Sequence, residues 1–357
     1  LPNLQKRFHQ AFEELKHNML VIGVLLAFLT LATVNCRPNF ANNQSVPYTN
    51  LQSDLDNFNP LDFFMSYEET NQWLAALEAK YPDKCKVQSI GNSYWGLDIN
   101  AIYINTQQSK KIFVVANLNA REWAAMTSAI YIIHELVRNS NGYPDAANYQ
   151  WIIIPIANPD GYDYTTTTNR FWRKNRAPQT VIDFGTDLNR NFDYMWDLVI
   201  TDQDDDLQSE TYRGPTAFSE SESKAIGQFL QQNANSIVLY VDLQAFGEYL
   251  MTPWGYTRNP APNADFLTSV AQAGSKAITD PTRVPRDAPF YLVGSAAEIM
   301  KEASGSSIDY CLSVGVKACI AMKLTSQGYE IYTSAIPLYG QQALAAVQAM
   351  AVKADGG

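Results

Sequence analysis

Two short, dense apolar runs constrain the fold of this chain more than any other feature, residues 112–118 (IFVVANL) and 149–157, and further strands are expected at 237–246 and 318–324. A run that is apolar at nearly every position, rather than at alternate ones, is covered on both faces, as parallel strands flanked by helices are. Stretches with helical spacing follow or separate these runs. Residues 67–81 place Trp73, Leu74 and Leu77 on one stripe and stop before Pro82. Further helices are expected at 221–232, 264–279, 296–301 (continuing past Ser307) and 339–353, and residues 87–103 read as two strands turning at Gly96. Strands alternating with helices predict an α/β fold, a three-layer α/β/α sandwich with a mixed central β-sheet. At 357 residues and 46% hydrophobic, the chain can bury a large single core, expected over residues 61–357.

The first 60 residues read differently. Residues 19–34 are a continuous apolar run preceded by Lys16, with the length of a signal-peptide core and short for a membrane span. A signal peptide is expected at 19–36, with residues 1–18 upstream of it and a polar, Asn-rich flexible leader at 37–60. A retained membrane anchor is the alternative. The sequon Asn43-Gln44-Ser45 marks the leader for glycosylation. The expectation is a secreted, extracellular protein with no membrane partner once the signal is cleaved. A net charge of −10 argues against nucleic acid as a partner. The acidic run at 202–206 is read as a solvated loop. With Cys36 beside the cleavage site, Cys85, Cys311 and Cys319 leave an odd number, so one thiol is free or pairs between chains.

Chemistry concentrates where the run 112–118 meets the next helix, at Asn119-Ala120-Arg121-Glu122-Trp123. The carboxyl end of a strand is where open α/β sheets build their sites. Three later stretches supply matching pieces: Asn169-Arg170-Phe171-Trp172-Arg173-Lys174, Asp187-Leu188-Asn189-Arg190-Asn191 and Ala303-Ser304-Gly305-Ser306-Ser307-Ile308-Asp309. Together they resemble the zinc carboxypeptidases of the digestive A/B type, over roughly residues 61–350. The resemblance implies a site in which two His and one Glu hold zinc and a later Glu serves as general base. Glu122 matches the ligand Glu, but Asn119 and Gln244 stand where the two His would be, and Lys323 stands at the base. The chain has three His in all, His9, His17 and His134, and His134 reads as a packed helix residue. Residues 311–329 contain no Asp or Glu, so a shift in alignment restores no base. The family's mobile tyrosine becomes Lys301.

Asn119, Glu122 and Gln244, with Asp242 nearby, would form an oxygen-only set, better suited to calcium than to zinc. No metal, cofactor or catalytic residue is therefore expected. The resemblance also implies substrate contacts: Arg190 and Asn189 on a peptide's terminal carboxylate, Arg173 on the scissile carbonyl, Arg121 on the substrate side, and Ile308 as an apolar pocket floor. Those residues could equally persist as structural ion pairs. Both cysteines of the disulfide usual in the digestive enzymes are replaced, near Asp183 and Gln208, and the leader leaves no room for the usual inhibitory prodomain. Lys323 is expected to pair with Glu122.

Three functions follow: a secreted carboxypeptidase-like pseudoenzyme that binds peptide or protein C-termini with apolar end residues, an active metallocarboxypeptidase removing apolar C-terminal residues, or a structural protein with a closed pocket. No Gly-x-Ser-x-Gly elbow, phosphate loop or dinucleotide fingerprint supports another enzyme class.

Overall fold

A computed structural model describes residues 55–284, 289–325 and 328–356. The expected signal peptide, the sequon, Cys36 and most of the expected leader lie outside the described residues. A single sheet of eight strands runs through the described chain, in the order β1-β2-β4-β3-β5-β8-β6-β7. The strands are β1 Cys85–Asn92, β2 Asp98–Ile104, β3 Lys111–Ala116, β4 Gln150–Ile154, β5 Ile237–Ala245, β6 Tyr249–Thr252, β7 Leu292–Ser295 and β8 Cys319–Leu324. The two apolar runs and the two further strands expected at 237–246 and 318–324 form its parallel centre, β4-β3-β5-β8, and antiparallel pairings flank that centre on both sides.

Helices cover both faces. On one, α1 (Tyr67–Lys80), α2 (Trp123–Arg138), α6 (Ala264–Ile278) and α9 (Ile336–Asp355) pack over Val114, Ile153, Val241 and Ile320. On the other, α5 (Ser221–Asn233), α8 (Ser307–Ser313) and the segment around Leu188 and Phe192 pack over Phe113, Ile152 and Tyr240. The remaining helices, α3 (Pro159–Thr167), α4 (Asp202–Asp205) and α7 (Ala296–Ile299), are short. Side chains alternate along a strand, so Val241, Leu243, Ile320 and Met322 serve the first face. Asp242, Gln244 and Lys323 therefore emerge on the second. Gln244 and Lys323 are direct neighbours in the parallel β5–β8 register.

Several expectations change on contact with the structure. The helix expected to continue past Ser307 breaks after Ile299, where Met300 leaves helical geometry (φ −100°, ψ −107°). The chain resumes as α8 only after Gly305, whose φ is +73°. Lys301 lies exposed in that gap. β6, β7 and α3 were not anticipated, being too short for periodicity to register. The acidic run forms a helical turn, α4, rather than a loop, with Asp204 bonding back to Thr201 and buried. Within the stretch read as leader, Leu55 is 2% exposed in the core, and Arg138 donates to the carbonyls of Leu55 and Phe58. Cys311 and Cys319 form a disulfide joining α8 to β8, and Cys85 is the free, buried thiol among the described residues. No described helix is long and apolar enough to cross a membrane.

Candidate functional site

The carboxyl ends of β3, β5 and β8 converge with the 187–190 turn and the start of α8, and their polar side chains meet there. β3 ends at Ala116, and Asn117 takes a left-handed turn (φ +62°) that delivers Asn119 and Glu122 to the top of the sheet. Glu122 sits at the N-cap of α2 and is 1% exposed. The Asn119 side-chain amide donates to its Oε1 at 2.9 Å, and the Ala245 backbone N–H donates to its Oε2 at 3.0 Å. Burial raises the Glu122 pKa, although the positive charges of Lys323 and Arg173 and these two donors oppose the rise.

Asp242 forms a second buried centre, with no exposure. Its Oδ2 accepts from Gln244 Nε2 at 2.7 Å, Ser307 Oγ at 2.9 Å and Asn189 Nδ2 at 3.0 Å. Its Oδ1 is sealed and has no hydrogen-bond partner among the described residues, as is Oδ1 of Asn119. Burial pushes the Asp242 pKa up to about 6 despite the Gln244, Ser307 and Asn189 donors. Asp187 is the third buried carboxylate, and it takes two bonds from Arg173, at 3.1 and 2.8 Å, on Oδ2. Burial would raise Asp187 as well, but the charges of Arg173 and Arg190 hold it below the usual carboxylate value.

The cations are less deeply buried than these carboxylates. Lys323 is 9% exposed and forms no ion pair among the described residues, so the expected contact with Glu122 does not form. Each Glu122 oxygen instead accepts one hydrogen bond from an uncharged donor, the Asn119 amide and the Ala245 N–H. Burial lowers the Lys323 pKa, and Glu122 and Asp242 pull it back up through charge alone. Arg190 donates to the Asn189 carbonyl at 3.0 Å, and its Nε has no partner among the described residues. Arg121 is spoken for: it donates to Glu210 at 2.7 Å and to the Phe171 carbonyl, and it lies 4.2 Å over the Tyr329 ring.

The structure thus gathers Asn119, Glu122, Gln244, Asn189, Arg173, Arg190 and Lys323 into one constellation. Two expected roles change. Asn189 has both ends of its amide committed, Nδ2 to Asp242 and Oδ1 to the Ser307 N–H at 2.8 Å, so it braces the site rather than facing a ligand. Ile308 is 2% exposed inside the apolar cluster with Leu188 and Phe192. Sequence reasoning missed Ser307, Asp187 and Asp309 as site builders. The Asp309 carboxylate accepts from the backbone N–H groups of Gly255 and Tyr256 and is pushed up to about 7 by burial. Its place in the Ala-Ser-Gly segment was the available signal. A separate cavity of about 500 Å³, lined by Glu135, Tyr143 and Gln348, lies at the far end of α2 and shares none of these residues.

The profile of one family, zinc carboxypeptidase, matches residues 70–346. The chain belongs to the zinc carboxypeptidase family. It is 34% identical to a carboxypeptidase B of Helicoverpa zea over 266 residues, covering 72% of this chain and 61% of that protein. It is 32% identical to a carboxypeptidase B of Astacus astacus over 273 residues, covering 74% of this chain and 87% of the relative. The crystal structure of carboxypeptidase A from Helicoverpa armigera superposes with a TM-score of 0.77 at 29% identity, covering 83% of this chain and 75% of that one. The chain thus spans less than two thirds of the first relative's length.

Zinc is the ion such a family implies, and the residues here do not fit it. A catalytic zinc takes three strong donors, imidazole nitrogen, thiolate or carboxylate, and keeps one open position. In this zinc carboxypeptidase family member the donors would be two carboxamides and one Glu. The Asn119 and Gln244 amides turn N–H groups toward Glu122 and Asp242, both Glu122 oxygens already accept hydrogen bonds, and a buried ammonium stands by.

Proposed function

We propose that this chain is a secreted carboxypeptidase-like pseudoenzyme that holds peptide C-termini, with apolar end residues, without hydrolysing them. One observation carries the reading: both Glu122 oxygens are bound by an amide and a backbone N–H, while the base position holds Lys323. Hydrolysis of a peptide bond needs a polarised carbonyl, an activated water and a group to take its proton. An ammonium donates hydrogen bonds and accepts no proton. Arg190 remains available as a planar, bidentate donor for a carboxylate, and Arg173, fixed by Asp187, stands beside it. The apolar preference is the one the family likeness implies for position 308, where Ile308 is packed inside the apolar cluster. Secretion rests on the apolar run at 19–34 and on the disulfide, a bond favoured outside the cytosol.

The test combines elemental analysis, hydrolysis of a substrate ending in phenylalanine, and calorimetry with free and amidated peptides. Substoichiometric zinc, no turnover, and binding lost on amidation or on Arg190→Ala are expected. One zinc per chain with chelator-sensitive hydrolysis would establish an active carboxypeptidase instead.

A further inference from the structure

We propose that Arg190 and Lys323 form a two-point anion receptor that takes a short dicarboxylate, one carboxylate on each cation. The proposal rests on the reading above, that the cleft binds rather than cuts. It goes further in assigning Lys323 a ligand contact and in naming the ligand class.

The argument begins with the pairing of charges. Of the cations at and beside the site, Arg121 is paired with Glu210 and Arg173 with Asp187. Arg190 and Lys323 have no carboxylate within ion-pair distance among the described residues. A buried cation without an anion is costly, and the chain keeps two of them at one site. The inner carboxylates form no ion pair with either: neutral donors hold both Glu122 oxygens and Asp242 Oδ2, and Asp242 Oδ1 is sealed with no hydrogen-bond partner among the described residues.

Depth decides which charge a ligand meets. Glu122 and Asp242 are 1% and 0% exposed, sealed beneath the amide layer, whereas Lys323 keeps 9% and Arg190 is only partly buried. The two cations also share a frame. Lys323 is the register neighbour of Gln244, Gln244 bonds Asp242, Asp242 bonds Asn189, and Asn189 precedes Arg190. Two like charges held together without bridging anions present a site for a ligand with two negative ends and a neutral spacer.

Calorimetry on the purified full-length protein, with chelator present throughout, tests this with succinate, glutarate and adipate. Each is compared with its own monomethyl ester, which keeps the length and loses one charge. At least one diacid should bind about tenfold or more tighter than its half-ester, the gain of one added charge-assisted contact. Lys323→Gln and Lys323→Met should reduce that diacid to half-ester affinity, and Lys323→Arg should retain the advantage. Arg190→Ala should weaken diacid and half-ester alike. Circular dichroism and thermal melts establish that each variant folds.

Equal affinity for diacid and half-ester at every length overturns the proposal, and that comparison needs no variant. A diacid advantage that survives in folded Lys323→Gln and Lys323→Met also overturns it. Failure here is distinct from failure of the binding reading. Arg190-dependent peptide binding without any diacid advantage sinks this proposal alone, whereas zinc-dependent hydrolysis sinks the reading beneath it.

Discussion

At the scale of single residues, Lys323 shows how proximity and contact differ. It feels the charges of Glu122 and Asp242 but touches neither within ion-pair distance. A broken buried ion pair costs about 3–5 kcal/mol; a through-space coupling between groups that are not in contact is much weaker. Lys323→Met should therefore change stability by less than about 1.5 kcal/mol, since removing a desolvated charge offsets the lost attraction. A denaturant double-mutant cycle with Glu122→Gln should give a coupling below about 1 kcal/mol. A coupling of about 3 kcal/mol would mean that the two groups are in contact. The identities at 119, 244 and 323 were legible in the sequence, because a wrong residue in a motif can be seen without coordinates. The partners were not. Asn189 looked like a ligand-facing amide, and only the meeting of β5, α8 and the 187–190 turn shows its two ends given to Asp242 and Ser307.

At the scale of elements, apolar runs and helical stripes were legible wherever they were long. The centre of the sheet and α1, α2, α5, α6 and α9 appear within a few residues of expectation. The break between α7 and α8 was not, because its cause is a tertiary contact. A Cβ on Gly305 would collide with the Arg190 backbone, and its φ of +73° strains any other residue. Gly305→Ala should thus displace Arg190 and weaken carboxylate-peptide binding by roughly tenfold or more in calorimetry, beyond any change in melting temperature. α9 crosses α2 where Gly340 lies against the Tyr131 side chain, with no room for a methyl group. Gly340→Ala should cost about 1–3 kcal/mol in denaturant unfolding, despite alanine's better helix propensity. A stabilised variant would mean that the two helices can part at little cost.

At the scale of the whole molecule, three fully or nearly buried carboxylates share a direction. Burial pushes Asp242 up to about 6, and Glu222 and Asp309 up to about 7. A carboxyl whose pKa is higher folded than unfolded binds its proton more tightly in the native state. Its stabilising effect is present at low pH and is lost as pH rises through the folded value. The window runs from about pH 4 to about pH 7, so the melting temperature should be higher near about pH 5.5 than near about pH 8. Asp309→Asn should flatten that slope, and a melting temperature that climbs steadily toward alkaline pH would contradict the assignment. The alternation of strand and helix was enough to expect a mixed sheet in three layers. The antiparallel margins escaped because β6 and β7 have four residues each, fewer than periodicity can resolve. Cys85 gives this body a clock. At 1% exposure, and with its thiol pushed up to about 11, it is hidden and protonated in the folded chain at neutral pH. Thiolate is the reactive form, so alkylation at Cys85 should proceed only as fast as the strand that carries it comes away. The time course of mass added to an 80–95 peptide would then read the lifetime of the folded state directly, without denaturant.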